Sequence, residues 1–220
     1  MKKIIKFLGK EFYVSIDNPK EHIQKHWLGG MFYEASRIGM LGYINANDKG
    51  ARKIIDIGAS IGNHSIFFAG VLGAEVHAIE PNKKSFEHLE YNINLNKLNV
   101  VCHNIAIGAK VGRCSMETIS EDNIGMTEVR KGDDVDIKPI DGLKFIEGYD
   151  LIKIDVEHYN EQVLIGAKET FTKGNGVIYI ESESQEELVV TDGYMKEYGY
   201  KRVPNLVLNH TATYKYVKNR

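Results

Sequence analysis

One stretch decides the fold that we predict for this chain: Lys53-Ile54-Ile55-Asp56-Ile57-Gly58-Ala59-Ser60-Ile61-Gly62. Its first half is an apolar run with the length of a buried strand, and residues 63–72 after it have the spacing of a helix. Glycine allows a backbone to approach a ligand closely because it has no side chain. A strand, a turn bounded by Gly58 and Gly62, and a helix therefore predict the first unit of a ligand-binding parallel sheet.

Strands and helices continue to alternate along the chain. The apolar runs that predict strands lie at 53–57, 75–80, 100–104, 149–155, 177–181, 200–203 and 211–217. The segments that predict the main helices lie at about 63–72, 81–96, 160–171 and 186–198. Because apolar strands flanked by helices favour a sheet covered on both faces, we predict an α/β, Rossmann-like fold. Its sheet is expected to be mostly parallel and seven-stranded, with an antiparallel closing strand.

The first 50 residues are predicted to form a short N-terminal arm that packs on this domain. Residues 4–16 have the pattern of a β-hairpin around Gly9-Lys10, and apolar residues recur at helical spacing from Ile23 to Ile44. Residues 51–220 then form the main domain. Within it we expect short strands and loops over 105–148, where glycines and charges interrupt the pattern.

The composition narrows the functional classes. The formal net charge of -2 gives no electrostatic support for a nucleic-acid binder. Cys102 and Cys114 make neither a metal signature nor a disulfide framework. No apolar stretch approaches the roughly 20 residues of a membrane span. We therefore expect a cytoplasmic protein whose partner is neither nucleic acid nor membrane.

Three features point to a cofactor that contains adenosine. The Gly58 turn leads to Asn63 and to the free amides at the start of a helix, which supply hydrogen-bond donors. Glu80 ends the second strand, where an acid can accept hydrogen bonds from both ribose hydroxyls. Asn104 ends the third strand beside Ala106, where an adenine edge could be held. The carboxyl ends of parallel strands line one crevice, so these positions are expected to converge.

The glycine spacing distinguishes between cofactors. A dinucleotide fold needs G-x-G-x-x-G against its pyrophosphate, whereas three residues separate Gly58 from Gly62 here, and no P-loop lysine follows. S-adenosylmethionine has no phosphate and fits this turn better. A nicotinamide-dependent oxidoreductase stays open as an alternative, as does a non-catalytic cofactor-binding or scaffold domain.

Several segments, in this order, resemble the FkbM-type methyltransferases. The segments that carry the resemblance are 32–34, 55–65, 78–82, 104–108, 139–143, 151–157 and 163–167. The resemblance implies a class I methyltransferase fold, S-adenosylmethionine as cofactor, and methyl transfer to a hydroxyl of a sugar, glycan or small natural product. It also implies that Glu34 reaches the methionine end of the cofactor. The cofactor-binding residues predicted in all are Glu34, Asp56, Gly58, Gly62, Asn63, His64, Glu80, Pro81, Asn82, Asn104, Ala106 and Asp155.

An alcohol acceptor needs a general base, because it is a poor nucleophile until it is deprotonated. The candidate bases are Asp155, Glu157, His158, Glu181 and His64. We favour Asp155 with His158 as a helper, and Glu181 ends the next strand of the same sheet. His158 departs from the family pattern, in which a glycine is common at this position. The acids could also hold a divalent cation, and the sequence leaves this open together with the oligomeric state.

Amino-methylation of nucleic acid is disfavoured by the same segment. An enzyme that methylates adenine or cytosine should have Asn/Asp-Pro-Pro-aromatic after the fourth strand. Here that place reads Asp155-Val156-Glu157-His158.

Overall fold

A computed structural model describes residues 1–36, 39–45, 50–208 and 211–219, with the backbone alone described at 41, 44, 45, 205, 206 and 208. The strands of the main sheet are β3 (Lys53–Ile57), β4 (Glu75–Ile79), β5 (Val100–His103), β9 (Leu151–Ile154), β10 (Val177–Glu181), β11 (Tyr200–Leu208) and β12 (Thr213–Lys218). They lie in the order β11-β12-β10-β9-β3-β4-β5. β12 pairs antiparallel with β10 and β11, and the other described pairings in this sheet are parallel, so the predicted mostly parallel, seven-stranded α/β sheet is confirmed.

Helices cover both faces of this sheet. The helices that follow its strands are α3 (Asn63–Phe67, continued by a π-helical turn over Phe68–Leu72), α4 (Lys83–Asn96), α5 (Asn160–Ile165), α6 (Lys168–Lys173) and α7 (Gln185–Glu197). Alternate strand residues enter two separate cores. Ile54 and Val76 pack with residues of α3 and α4, while Ile55 and Ile152 pack with residues of α5, α6 and α7. Burial of both strand faces explains why these strands read as unbroken apolar runs.

The single helix predicted from 160 to 171 is wrong, because α5 and α6 are separate helices. Gly166 and Ala167 lie between them. A side chain at Gly166 would come within 2.1 Å of the carbonyl oxygen of Gly108, so the chain is pressed against a neighbouring segment where the helix breaks.

The segment 105–148 contains a second sheet in place of the expected short strands and loops. It has three strands, β6 (Ala106–Ile107), β7 (Gly112–Ser120) and β8 (Asn123–Lys138), in the order β6-β8-β7. The pairing of β7 with β8 omits residues 131–134, which are exposed and contain a glycine and three charges. These four residues, and the largely exposed faces of the hairpin, hide its strand pattern in the sequence.

The N-terminal segment packs against the α3 and α4 face of the sheet. It forms the hairpin β1 (Lys2–Phe7) and β2 (Lys10–Ser15), then α1 (Gln24–Leu28) and α2 (Met40–Asn45). Trp27 and Phe32 are fully buried in the same core as α3. The continuous helix predicted from Ile23 to Ile44 is wrong, because the chain leaves α1 at Gly29 and Gly30 has a positive φ of 78°. Ile38, one of the apolar residues within this stretch, lies outside the described residues.

A buried amide ties this segment to α3. Asn63 Oδ1 accepts hydrogen bonds from Trp27 Nε1 at 3.0 Å and from the Tyr33 amide at 3.1 Å, and its Nδ2 donates to the Tyr33 carbonyl at 3.0 Å. Asn63 is only 2% exposed, so water cannot replace these bonds. No helix in the described parts of the chain is long and apolar enough to cross a membrane.

Asn63→Ala should therefore loosen the attachment of the N-terminal segment. The substitution leaves two buried N–H donors without an acceptor, which should lower the free energy of unfolding by about 2–4 kcal/mol. Urea denaturation followed by Trp27 fluorescence measures this loss. Asn94→Ala on the exposed face of α4 is the matched control, and an equal small loss in both variants would contradict the proposed tie.

Candidate active site

A cavity of about 360 Å³ opens at the carboxyl edge of the main sheet. The ends of β3, β4, β9 and β10 contribute Gly58, Glu80, Asp155 and Glu181 to its lining. The Gly58 turn comes close to β9, because a side chain there would lie 1.7 Å from the Asp155 carbonyl oxygen. With its φ of 81°, this position favours glycine on both grounds.

The carboxyl group of Glu80 is fixed in the cavity wall by backbone donors. Its Oε2 accepts from the Ser60 amide at 2.8 Å and its Oε1 accepts from the Asn82 amide at 2.7 Å. Burial raises the pKa of Glu80 from 4.5 to about 7, although these two donors act in the opposite direction. The hydroxyl of Ser60, which also lines the cavity, is buried and has no hydrogen-bond partner among the described residues.

Asn82 and Asn104 support this wall from outside the cavity. The Asn82 side chain caps α4 by accepting from the Ser85 amide at 3.1 Å. The Asn104 side chain donates to the carbonyl oxygens of Glu80 and Pro81 at 2.9 and 3.0 Å. The side chains of Asn82 and Asn104 thus hold the turn that carries Glu80. The sequence predicted both residues as ligand contacts and did not distinguish that role from positioning.

A buried lysine lies under the floor of the cavity. Lys153 is 1% exposed, and its Nζ lies 2.7 Å from Asp155 Oδ2 and 3.8 Å from Asp56 Oδ1. Asp56 is fully buried and its Oδ2 accepts from the Ser65 hydroxyl at 2.6 Å. Asp56 is thus directed to Lys153 and α3 and does not line the cavity, while Asp155 does.

Glu34 and His64 form a second buried pair. His64 Nε2 is 3.4 Å from Glu34 Oε2, and both side chains are more than nine-tenths buried. Glu34 lines the cavity, whereas Gly62, Asn63 and His64 lie behind its lining. Among the described residues, the structure therefore brings six of the predicted cofactor-binding residues to the cavity surface: Glu34, Gly58, Glu80, Pro81, Ala106 and Asp155.

Carboxyl groups crowd the other end of the cavity. Burial and neighbouring acids raise the pKa of Glu157 from 4.5 to about 8 and that of Glu181 from 4.5 to about 9. His158 does not line the cavity. Its side chain is 64% exposed, and its Nε2 lies 3.4 Å from Glu183 Oε2. The structure does not bring His158 to Asp155 as a helper.

The β7–β8 hairpin roofs the cavity, which the sequence did not predict. Met116 on β7 and residues 123–125, 127 and 129 on β8 line it. The tip of the hairpin reaches the N-terminal segment, where Asn18 Nδ2 donates to the Glu121 carbonyl at 3.0 Å and the His22 amide donates to the Asp122 carbonyl at 2.8 Å. No hydrophobic alternation over Asn123–Val129 identifies these residues in the sequence, because apolar residues occupy both odd and even positions.

Residues 56–202 match the family of the Methyltransferase FkbM domain. The chain belongs to the FkbM methyltransferase family. The predicted family is thereby confirmed, and it disfavours the nicotinamide oxidoreductase that the glycine spacing left open. None of the curated proteins matches the chain by sequence.

Solved structures of methyltransferases share the fold of this FkbM protein. Methyltransferase FkbM of Methylobacillus flagellatus KT has 20% identity and a TM-score of 0.56, with 76% of this chain and 43% of that chain covered. The Pyrococcus abyssi tRNA (uracil-54, C5)-methyltransferase in complex with S-adenosyl-L-homocysteine has 12% identity and a TM-score of 0.53, with coverages of 98% and 43%. Precorrin-6y C5,15-methyltransferase of Geobacter metallireducens GS-15 has 14% identity and a TM-score of 0.51, with coverages of 82% and 88%. The chain spans less than half the length of the first two proteins.

Glu181 should reduce the stability of the FkbM protein at neutral and alkaline pH. Its carboxyl ionises near 4.5 in the unfolded chain and near 9 in the folded one, so the free energy of unfolding falls as the pH rises between these values. Glu181→Gln removes this penalty and should stabilise the protein by about 1–3 kcal/mol at pH 8, with little effect at pH 4.5.

Urea denaturation at the two pH values measures the difference. Glu186→Gln, at an exposed position on α7, is the control and should change stability at neither pH. A loss of stability in Glu181→Gln at pH 8 would contradict the raised pKa.

Proposed function

We propose that this protein transfers a methyl group from S-adenosylmethionine to a hydroxyl of a sugar, glycan or small natural product. S-adenosylmethionine is the cofactor that the family and the fold support. The observation that carries the proposal is the composition of one cavity. The cavity contains the fixed carboxyl group of Glu80 at the end of β4. It also contains the carboxyl groups of Asp155 and Glu181 at the ends of β9 and β10, which can accept a proton.

The residues at the β3–β4 end of the cavity fit this cofactor. Glu80 presents acceptors for a ribose diol, and the unpartnered Ser60 hydroxyl can bond a further polar group. Ile79, Ile105 and Ala106 provide an apolar slot for an adenine ring. Glu34 and Asp155 are acidic groups that can hold the ammonium of the methionine end. No diphosphate needs to be bound, which agrees with the absence of lysine and arginine from the described lining.

The acids at the other end of the cavity suit proton removal from an alcohol. S-adenosylmethionine supplies a methyl group on a positively charged sulfur, which keeps the bonding electron pair when the methyl carbon bonds to the acceptor oxygen. The hydroxyl proton then needs an acceptor. Glu181 is suited to this role because burial and neighbouring acids make its carboxylate strongly basic. Asp155 is already engaged by Lys153, so we favour Glu181 over the Asp155 and His158 pair suggested by the sequence.

Glu80→Ala tests the cofactor half of this proposal. The substitution removes two charge-assisted hydrogen bonds to the ribose and should weaken S-adenosylmethionine binding by about 100-fold. Isothermal titration of the purified protein measures the affinity. Glu90→Ala, at an exposed position on α4, should bind as the unchanged protein does. NAD binding without S-adenosylmethionine binding would contradict the proposal.

Glu181→Gln tests the catalytic half. A hydroxyl acceptor is first identified by release of S-adenosylhomocysteine from a panel of sugars and small alcohols. In the unchanged protein kcat/KM should rise with pH up to about 9, because the carboxylate must be ionised to accept a proton. Glu181→Gln should lose this rise and about 100-fold or more in kcat, while it keeps its affinity for S-adenosylmethionine. An unchanged pH profile in the variant would assign the base to another group.

A further inference from the structure

The lining of the cavity is one-sidedly acidic. The carboxyl groups that line it belong to Glu34, Glu80, Asp155, Glu157 and Glu181. No lysine or arginine lines it in the parts of the chain that the structure describes. A surface of this kind attracts cations and repels phosphate groups.

The cofactor accounts for only part of this charge. S-adenosylmethionine carries one net positive charge, from its sulfonium and ammonium groups less its carboxylate. Glu80 is half-neutralised near pH 7, Asp155 is paired with Lys153, and Glu34 lies against His64. The surplus acids are those at the β9–β10 end, where we place the acceptor.

Two of the surplus acids lie close together. A carboxyl oxygen of Glu157 and one of Glu183 lie within 4.8 Å of each other. Glu157 is half-buried in the cavity lining, and the Glu183 side chain is 30% exposed with its Oε2 3.4 Å from His158 Nε2. Two carboxylates this close repel each other, and a cation bound between them relieves the repulsion.

We propose that the acceptor carries a protonated amino group next to the hydroxyl that is methylated, and that Glu157 and Glu183 bind this amino group. The inference rests on the proposed function and specifies its substrate class as an amino sugar or another amine-bearing polyol. An ammonium group has three donors to distribute, and the two carboxyl groups provide acceptors for them. The neutral side chains of Asn123, Thr127 and Tyr159 also line the cavity and can bond the remaining hydroxyls.

An ammonium fits these acids better than a divalent cation does. Glu157, His158 and Glu183 place one potential ligand atom each within 4.8 Å of one another. A calcium or magnesium ion needs about six oxygen ligands, whereas this group offers two carboxyl groups and an exposed imidazole. The same acidity disfavours RNA as the acceptor, although the Pyrococcus abyssi protein of similar fold is a tRNA methyltransferase.

Titration of the protein saturated with S-adenosylhomocysteine tests the proposal. The probes are kanamycin A, an amine-bearing polyol, and its fully N-acetylated derivative, which differs only in charge and acetyl groups. Kanamycin A should bind at least about tenfold more tightly than the acetylated form. The double variant Glu157→Gln, Glu183→Gln should lose about tenfold in affinity for kanamycin A and keep its affinity for S-adenosylhomocysteine. Glu186→Gln on α7 is the matched control and should bind both as the unchanged protein does.

Four outcomes would overturn the inference: equal affinity for the two probes, no kanamycin binding up to about 10 mM, tighter binding of tRNA than of kanamycin A, or unchanged kanamycin binding in the double variant. Saturable Mn²⁺ binding that the double variant abolishes would replace the amine with a metal ion. Failure of the proposed function has a different signature. The protein would not bind S-adenosylhomocysteine, yet it would still distinguish kanamycin A from its acetylated form.

Discussion

The pairing of the buried Lys153 with two aspartates is the interaction on which the cavity floor depends. The parallel register of β3 and β9 places Asp56 directly beside Lys153, and Asp155 follows two residues later on the same side of the chain. A charge with 1% exposure is tolerated only when it is paired. Both strand ends must therefore stay in register, and α3 is held to them through Ser65. In this arrangement Gly58 approaches Asp155 so closely that a side chain at position 58 would clash with the Asp155 carbonyl oxygen.

The acids near the cavity floor differ in how their charges are balanced. Asp56 and Asp155 are both paired with Lys153. Glu157 and Glu181 have mainly other acids as neighbours. Such an arrangement costs folding free energy, and proteins keep arrangements of this kind where function needs them. The buried group of Lys153, Asp56 and Asp155 is thus charge-balanced, while the nearby carboxyl groups of Glu157 and Glu181 are left reactive.

The sequence predicted those elements whose pattern is set by local burial. The parallel strands read as apolar runs because both of their faces are covered, and Glu80 could be identified because it directly follows such a run. The helix predicted over Ile23–Ile44 failed because Ile23 and Trp27 are buried by tertiary packing of an irregular segment that includes Gly30 and Glu34, both with positive φ. The β7–β8 hairpin, and with it the roof, was missed because its strands are exposed and residues 131–134 interrupt the pairing. Local pattern also could not separate ligand contacts from supports such as Asn104, since both require the same residue types.

The way β8 contributes to the cavity also has an evolutionary consequence. Residues 123–125, 127 and 129 line the cavity, whereas 126 and 128 do not, and the backbone pairing with β7 is independent of either set. Lineages could therefore remodel this side of the cavity by exchanging the lining residues of one strand. The floor, with its glycine turn and buried ion pairs, would stay untouched. Methyl transfer to many different acceptors could thus evolve through substitutions confined to β8.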